Sequence, residues 1–145
     1  MKRRTKVAIA AVGAVPLVLS GATSAQAAPA SATRTITING AECTFKGTSE
    51  VGRAQGTDSV TISATTTLVE PAGDACREGT GAWVTIRYRR EGRDFSESAT
   101  GTSVDGAEAN VLIQLEEAPE SVLVEHTVFY PCGFTCINDW ETHPK

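Results

Sequence analysis

Downstream of residue 30, apolar and polar residues alternate along most of the chain, and no long segment keeps a helical apolar period. A period of two is the mark of strands buried on one face only. The clearest case spans Gly81 to Ala99, where Val84, Ile86 and Tyr88 alternate with Thr85, Arg87 and Arg89. Glu91-Gly92 supplies a two-residue turn, because glycine takes positive φ without a Cβ clash. That turn pairs Arg90 with Arg93, Arg89 with Asp94, Tyr88 with Phe95, Ile86 with Glu97 and Val84 with Ala99. Two aromatic rings then meet inside and an ion pair forms outside, as cross-strand energetics favours. Glu97 is the misfit, since it points inward opposite Ile86.

The same periodicity predicts the other strands. Arg34 to about Phe45 is strand, interrupted by the turn or bulge signal Asn39-Gly40, with Cys43 and Phe45 on one face. Gly47 to Gly56 reads as a loop, and Ala28 to Thr33 as a loose lead-in. Asp58 to Val69 puts Val60, Ile62, Ala64, Thr66 and Leu68 on one face and Thr61, Ser63, Thr65 and Thr67 on the other. Outward threonines can bind carbohydrate or ice, but far more often they only reflect strand propensity on a wet face. Pro71 to Gly81 is a long loop and Gly101 to Gly106 a turn. Ala109–Leu115 and Val122–Tyr130 flank a turn holding Ala118-Pro119. Centring that turn pairs Leu115 with Val122, Ile113 with Val124 and Val111 with His126, so their apolar faces coincide.

Many short strands without helices predict one all-β domain, a small antiparallel β-sandwich (immunoglobulin-like or similar) of about six to seven strands. Residues 1–27 stand apart from it. Lys2, Arg3, Arg4 and Lys6 head an apolar run from Val7 to about Leu19, and Ala25-Gln26-Ala27 has the small-x-small pattern of a signal-peptidase site. The run is too short to span a bilayer, which takes about 20 residues. Arg3-Arg4 admits a twin-arginine route, although Lys6 argues for ordinary export. The leader resembles in composition those of secreted proteins of high-GC Gram-positive bacteria. Its removal leaves residues 28–145 as a single domain with no membrane span.

Cleavage also shifts the charge. The leader takes four of the 13 basic residues and none of the 17 acidic ones, which moves the net charge from −4 to −8. From Asp94 onward there are ten acidic residues against Lys145 alone. Nucleic acid and anionic membranes are poor partners for such a chain. A solubilising acidic surface is the simplest reading.

Four cysteines in an exported chain imply two disulfides in one of three connectivities, of which Cys43–Cys76 with Cys132–Cys136 is favoured. Cys43–Cys76 would tie the long loop to the first strand and contribute roughly 3 to 4 kcal/mol on the chain-entropy account. Cys132–Cys136 would close the small loop CGFTC. Zinc usually takes two close pairs, and redox motifs are Cys-x-x-Cys at a helix start, so neither suits these spacings. No metal or cofactor is implied.

Chemistry-bearing motifs are scarce. There is no Gly-x-Ser-x-Gly elbow, zinc-protease helix, phosphate loop or calcium loop. Glu116, Glu117 and Glu120 crowd a turn and read as solvated. The weak candidates for catalysis are Glu97 and His126, both registered to an inner face, where a carboxylate and an imidazole could form a dyad. Candidates for binding are Trp83, Arg87 and Arg89 on the outer hairpin face, with Phe134, Ile137 and Trp140 in the tail. Trp83 and Arg87 could stack into a recognition ladder, and a tail folding back would instead bury Trp140.

These residues favour a secreted, monomeric, non-catalytic protein of the extracellular space or cell envelope. It would bind an extracellular protein or envelope component through loops or an outer sheet face. The alternatives are a small hydrolase using Glu97 and His126, a secreted protease inhibitor, or a purely structural spore or envelope component. The leader generates the first prediction. Intact-mass measurement of secreted protein should give the mass of residues 28–145, with both disulfides formed, and retention of residues 1–27 would remove the exported reading.

Overall fold

The computed structural model describes residues 6–8, 23–26, 29–102 and 108–144. Its strands are β1 (Lys6–Ala8), β2 (Thr23–Gln26), β3 (Ala30–Ile38), β4 (Ala41–Ala54), β5 (Val60–Leu68), β6 (Gly81–Arg90), β7 (Arg93–Thr102), β8 (Glu108–Leu115), β9 (Ser121–Pro131) and β10 (Thr135–Thr142). They form two antiparallel sheets facing one core. The larger runs β8–β5–β4–β3, with β1 added beside β8 and β2 beside the end of β4. The smaller runs β10–β9–β6–β7. The predicted all-β sandwich is the fold observed, with both disulfides as paired above: Cys43–Cys76 and Cys132–Cys136.

Two turns carry the register. Asn39 and Gly40 have φ of 50° and 81°, and Glu91 and Gly92 have φ of 57° and 73°. Positive φ at both central positions matches the right-handed strand twist of a tight hairpin. The second turn sets Tyr88 opposite Phe95 and Ile86 opposite Glu97, the register read from sequence. Tyr88 is buried and stacked on Phe95 (5.4 Å), while Phe95 stays partly exposed on the edge strand. Glu97 is half-buried rather than enclosed.

Four segments depart from expectation. Residues 30–33 of the lead-in are strand, because β3 starts at Ala30 and pairs Ala30 with Ser49. Gly47 to Ala54 is strand, not loop: Ser49 and Val51 point inward from it and are buried. The tail is an eighth sandwich strand, β10, paired with β9 from Thr135 to Thr142. The fourth departure is topological. β8 and β9 do not pair with each other; β8 pairs with β5, and β9 with β6 and β10. Residues 116–120 arch from one sheet to the other, held by Glu120 N–H on Arg89 O (2.7 Å) and Glu91 N–H on the Glu120 carboxylate (3.1 Å). Both strands face the same core from opposite sides, so their apolar faces coincide in an arch as they would in a hairpin. The predicted turn from Gly101 lies largely outside the described residues. Gly101 itself touches β8 so closely that a Cβ would fall 1.5 Å from Glu108 O.

The long loop after β5 is pinned at several points. The disulfide joins Cys76 to Cys43, Asn39 Nδ2–H donates to Ala75 O (3.1 Å), and Arg77 binds both Ala72 O (2.8 Å) and the Glu70 carboxylate. Inside, Ile38, Phe45, Ile62 and Ile113 from the larger sheet meet Val84, Ile86, Val124 and Val128 from the smaller. Each such side chain contributes about 1.5–3 kcal/mol on burial. One inner position must be empty. At Gly47 a Cβ would lie 2.5 Å from the His126 ring. Gly47→Ala should therefore destabilise by about 2 kcal/mol or more through overpacking. Urea unfolding should show it, and combining the change with His126→Ala should cost less than the two separately.

Candidate functional site

His126 lies between Val124 and Val128 on the inner face of β9 and is fully buried. Its Nδ1 is 2.9 Å from Thr66 Oγ1, and its Nε2 is 2.9 Å from Thr142 Oγ1. Thr66 Oγ1–H donates in turn to Trp83 O (3.4 Å), while Ser49 Oγ stands 2.7 Å from Thr142 Oγ1. One assignment uses every proton: Ser49 to Thr142 to Nε2, then Nδ1–H to Thr66 to Trp83 O. That is a neutral imidazole. Trp140 stacks on its face at 5.7 Å, and the Arg34 guanidinium covers the indole from outside at 5.7 Å. Burial pushes the His126 pKa from 6.5 down to about 4.

The carboxylate–imidazole dyad does not form. Glu97 lies on β7 and His126 on β9, with β6 between them and a two-residue offset along it. Both ring nitrogens are satisfied by hydroxyls, and the ring has no exposed surface for a substrate. The arrangement holds the sheets in place; it offers no general base.

The outer face of the smaller sheet differs in character. Trp83 on β6 is 40% exposed and tilts against Phe129 of β9, with ring centroids 5.5 Å apart. Phe129 pairs across to Ile137 of β10, which is 58% exposed. Beyond Ile137, at the same end of the sheet, Phe134 is 87% exposed. Its loop is closed by Cys132–Cys136, by Cys132 N–H on Phe134 O (3.1 Å), and by Gly133 at φ 101°. Below this apolar end, Arg87 contacts Glu125 (3.3 Å) and Arg89 Nε–H donates to Asp94 (3.0 Å).

The binding candidates thus separate. Trp83 and Ile137 share one end of one face with Phe129, a member that sequence reasoning missed, and Phe134 stands in the loop at that same end. Its outward parity beside inward Val128 was readable, but its neighbours depended on the strand order. Arg87 and Arg89 lie on the same face in ion pairs, and Arg87 engages Glu125 instead of stacking on Trp83. Trp140 belongs to the inner face and covers the core. On β5 the outward threonines are half-buried, and Thr65 donates to Asn110 (3.0 Å); on β3 the exposed Thr35 bonds Thr44 (3.1 Å). All four cysteines are in disulfides. No group of three potential metal ligands occurs among the described residues.

No protein-family model, curated protein or solved structure matches the chain.

The buried imidazole generates a pH prediction. A lowered pKa means that the folded state refuses a proton which the unfolded chain accepts. Its stability is full above about pH 6.5 and falls as pH drops toward 4, by about 3 kcal/mol in all. Urea denaturation at stepped pH should show this slope, and His126→Gln should flatten it.

Proposed function

We propose that the protein is a non-catalytic binding protein of the extracellular space or cell envelope, exported by the leader at residues 1–27. It contacts a macromolecule through the outer face of the smaller sheet and the Cys132–Cys136 loop. One observation carries this reading: Trp83, Phe129, Phe134 and Ile137 present exposed or half-exposed apolar surface at one end of a sheet whose other outer positions are mostly polar. Clustered apolar surface rimmed by polar residues marks interaction sites, and Trp and Phe supply large contact area at low entropic cost. The disulfide fixes Phe134 before any partner arrives. The two disulfides agree with an oxidising compartment, and no helix among the described residues is long and apolar enough to cross a membrane.

The hydrolase alternative loses support because His126 is enclosed. The protease-inhibitor alternative would draw on Phe134. Its loop, however, is a tight turn closed on itself by the Cys132–Phe134 bond, whereas a protease cleft takes extended backbone.

The test uses immobilised residues 28–145 in culture filtrate and envelope extract, beside Phe134→Ala and Trp83→Ala. Phe134→Ala is at the surface and should leave the unfolding midpoint nearly unchanged, whereas Trp83→Ala also loses the Phe129 contact and should lower it modestly, so retention is compared well below both midpoints. Partner retention should fall about tenfold or more in each, as for a binding hot spot. Equal retention by all three proteins would overturn the reading.

A further inference from the structure

Strand β10 ends the smaller sheet and pairs with β9 alone. The outward half of its backbone N–H and C=O groups is a template for another strand. Its solvent-side residues are Thr135, Ile137, Asp139 and Glu141, in register with Pro131, Phe129, Thr127 and Glu125 of β9. The edge therefore starts at the exposed Phe134 and Ile137 and runs into carboxylates.

Those carboxylates are poorly compensated within the chain. Glu141 stands directly opposite Glu125, an arrangement that destabilises a sheet. Arg87 serves Glu125 (3.3 Å), and His143 Nε2 approaches Glu141 (3.3 Å), an ion pair only when the imidazole is protonated. Asp139 has no cation within ion-pair distance among the described residues. Arg34 does not supply one, since it reaches only Asn138 Oδ1 (3.5 Å) and the Trp140 ring on the inner side of the strand.

This charge pattern selects the occupant. A second copy adding its own β10 antiparallel and centred on Asp139 would set the two Asp139 carboxylates opposite each other and Glu141 beside Ile137, supplying a cation to neither. A strand with Lys or Arg at two successive same-face positions and an apolar residue at the third meets the edge differently. Successive same-face residues would fall beside Ile137, Asp139 and Glu141, with apolar contact at the first and opposite charge at the others. We propose that β10 binds an extended basic segment of a partner protein as an added strand, with its cations beside Asp139 and Glu141 and its apolar end beside Ile137 and Phe134. This rests on the binding-face reading above and names the chemistry of the partner.

The experiment titrates residues 28–145 with a short synthetic peptide carrying Lys at two successive same-face positions, Val at the third and Thr between them, followed by fluorescence anisotropy and amide NMR. Two control peptides carry Glu in place of Lys, or N-methyl groups on the amides of one edge. The Lys peptide should bind at roughly tens of micromolar and shift the β10 amides first. Affinity should fall about tenfold in Asp139→Asn/Glu141→Gln, each lost charge-assisted contact being worth a factor of a few. The N-methyl and Glu peptides should not bind.

Failure of the Lys peptide to bind would overturn the proposal, as would equal binding to the double variant. Undiminished binding of the N-methyl peptide would show charge attraction without strand addition, and a β10-mediated dimer would show that a second copy is the occupant; either also overturns it. If the edge fails while capture still depends on Trp83 and Phe134, the face reading stands. If that capture is lost too, both fall.

Discussion

The hydroxyl–imidazole relay through His126 ties the two sheets together where packing alone would leave them free to slide. Thr66 and Ser49 belong to the larger sheet, His126 and Thr142 to the smaller, and the protons run between them without a gap. Apolar contacts are tolerant of small shifts because methyl groups are interchangeable. A buried imidazole is not, since each unsatisfied polar atom costs about 1–3 kcal/mol. A one-residue slip of β9 would turn His126 to the solvent side and take one partner each from the buried Thr66 and Thr142 hydroxyls. The relay therefore specifies register more than it adds stability, in keeping with buried polar networks that are fully satisfied. Gly47 completes it, because only an absent side chain lets the ring lie against β4.

Local signals were legible wherever one hairpin or one strand contained the whole argument. The Glu91-Gly92 turn fixes Tyr88 against Phe95, and parity puts Thr66 inside with Ile62 and Leu68. The cysteine pairs followed from spacing and compartment. Nonlocal pairing was not legible. An arch and a hairpin present the same inward faces at β8 and β9, and nothing in Glu116–Glu120 distinguishes a turn within a sheet from a crossing between sheets. Gly47 looked like loop punctuation because its reason lies in His126, far along the chain. β10 was hidden for a related cause: Thr135 to Thr142 carries Asn138, Asp139 and Glu141, poor strand formers by propensity, and becomes strand through its pairing with β9. The candidate face suffered in the same way, because its four apolar members come from three strands and a loop.

The relay and the binding face share strand β10, and this makes the edge a prepared surface. Trp140 stacks on His126 and Thr142 bonds its Nε2, so the inner half of the strand is held by the core. Cys136 anchors the other end through Cys132. Ile137, Asp139 and Glu141 alternate with these fixed residues and cannot retreat inward. A strand so held has already lost most of its backbone freedom, so a partner would meet little ordering cost on this side. The edge of the larger sheet lacks that combination. β3 presents mainly Ser and Thr on its solvent side, without exposed aromatic surface or uncompensated charge. Of the edges that close this side of the sandwich, β10 joins rigidity, apolar surface and unmet charge, and that conjunction separates a docking edge from one that is merely uncovered.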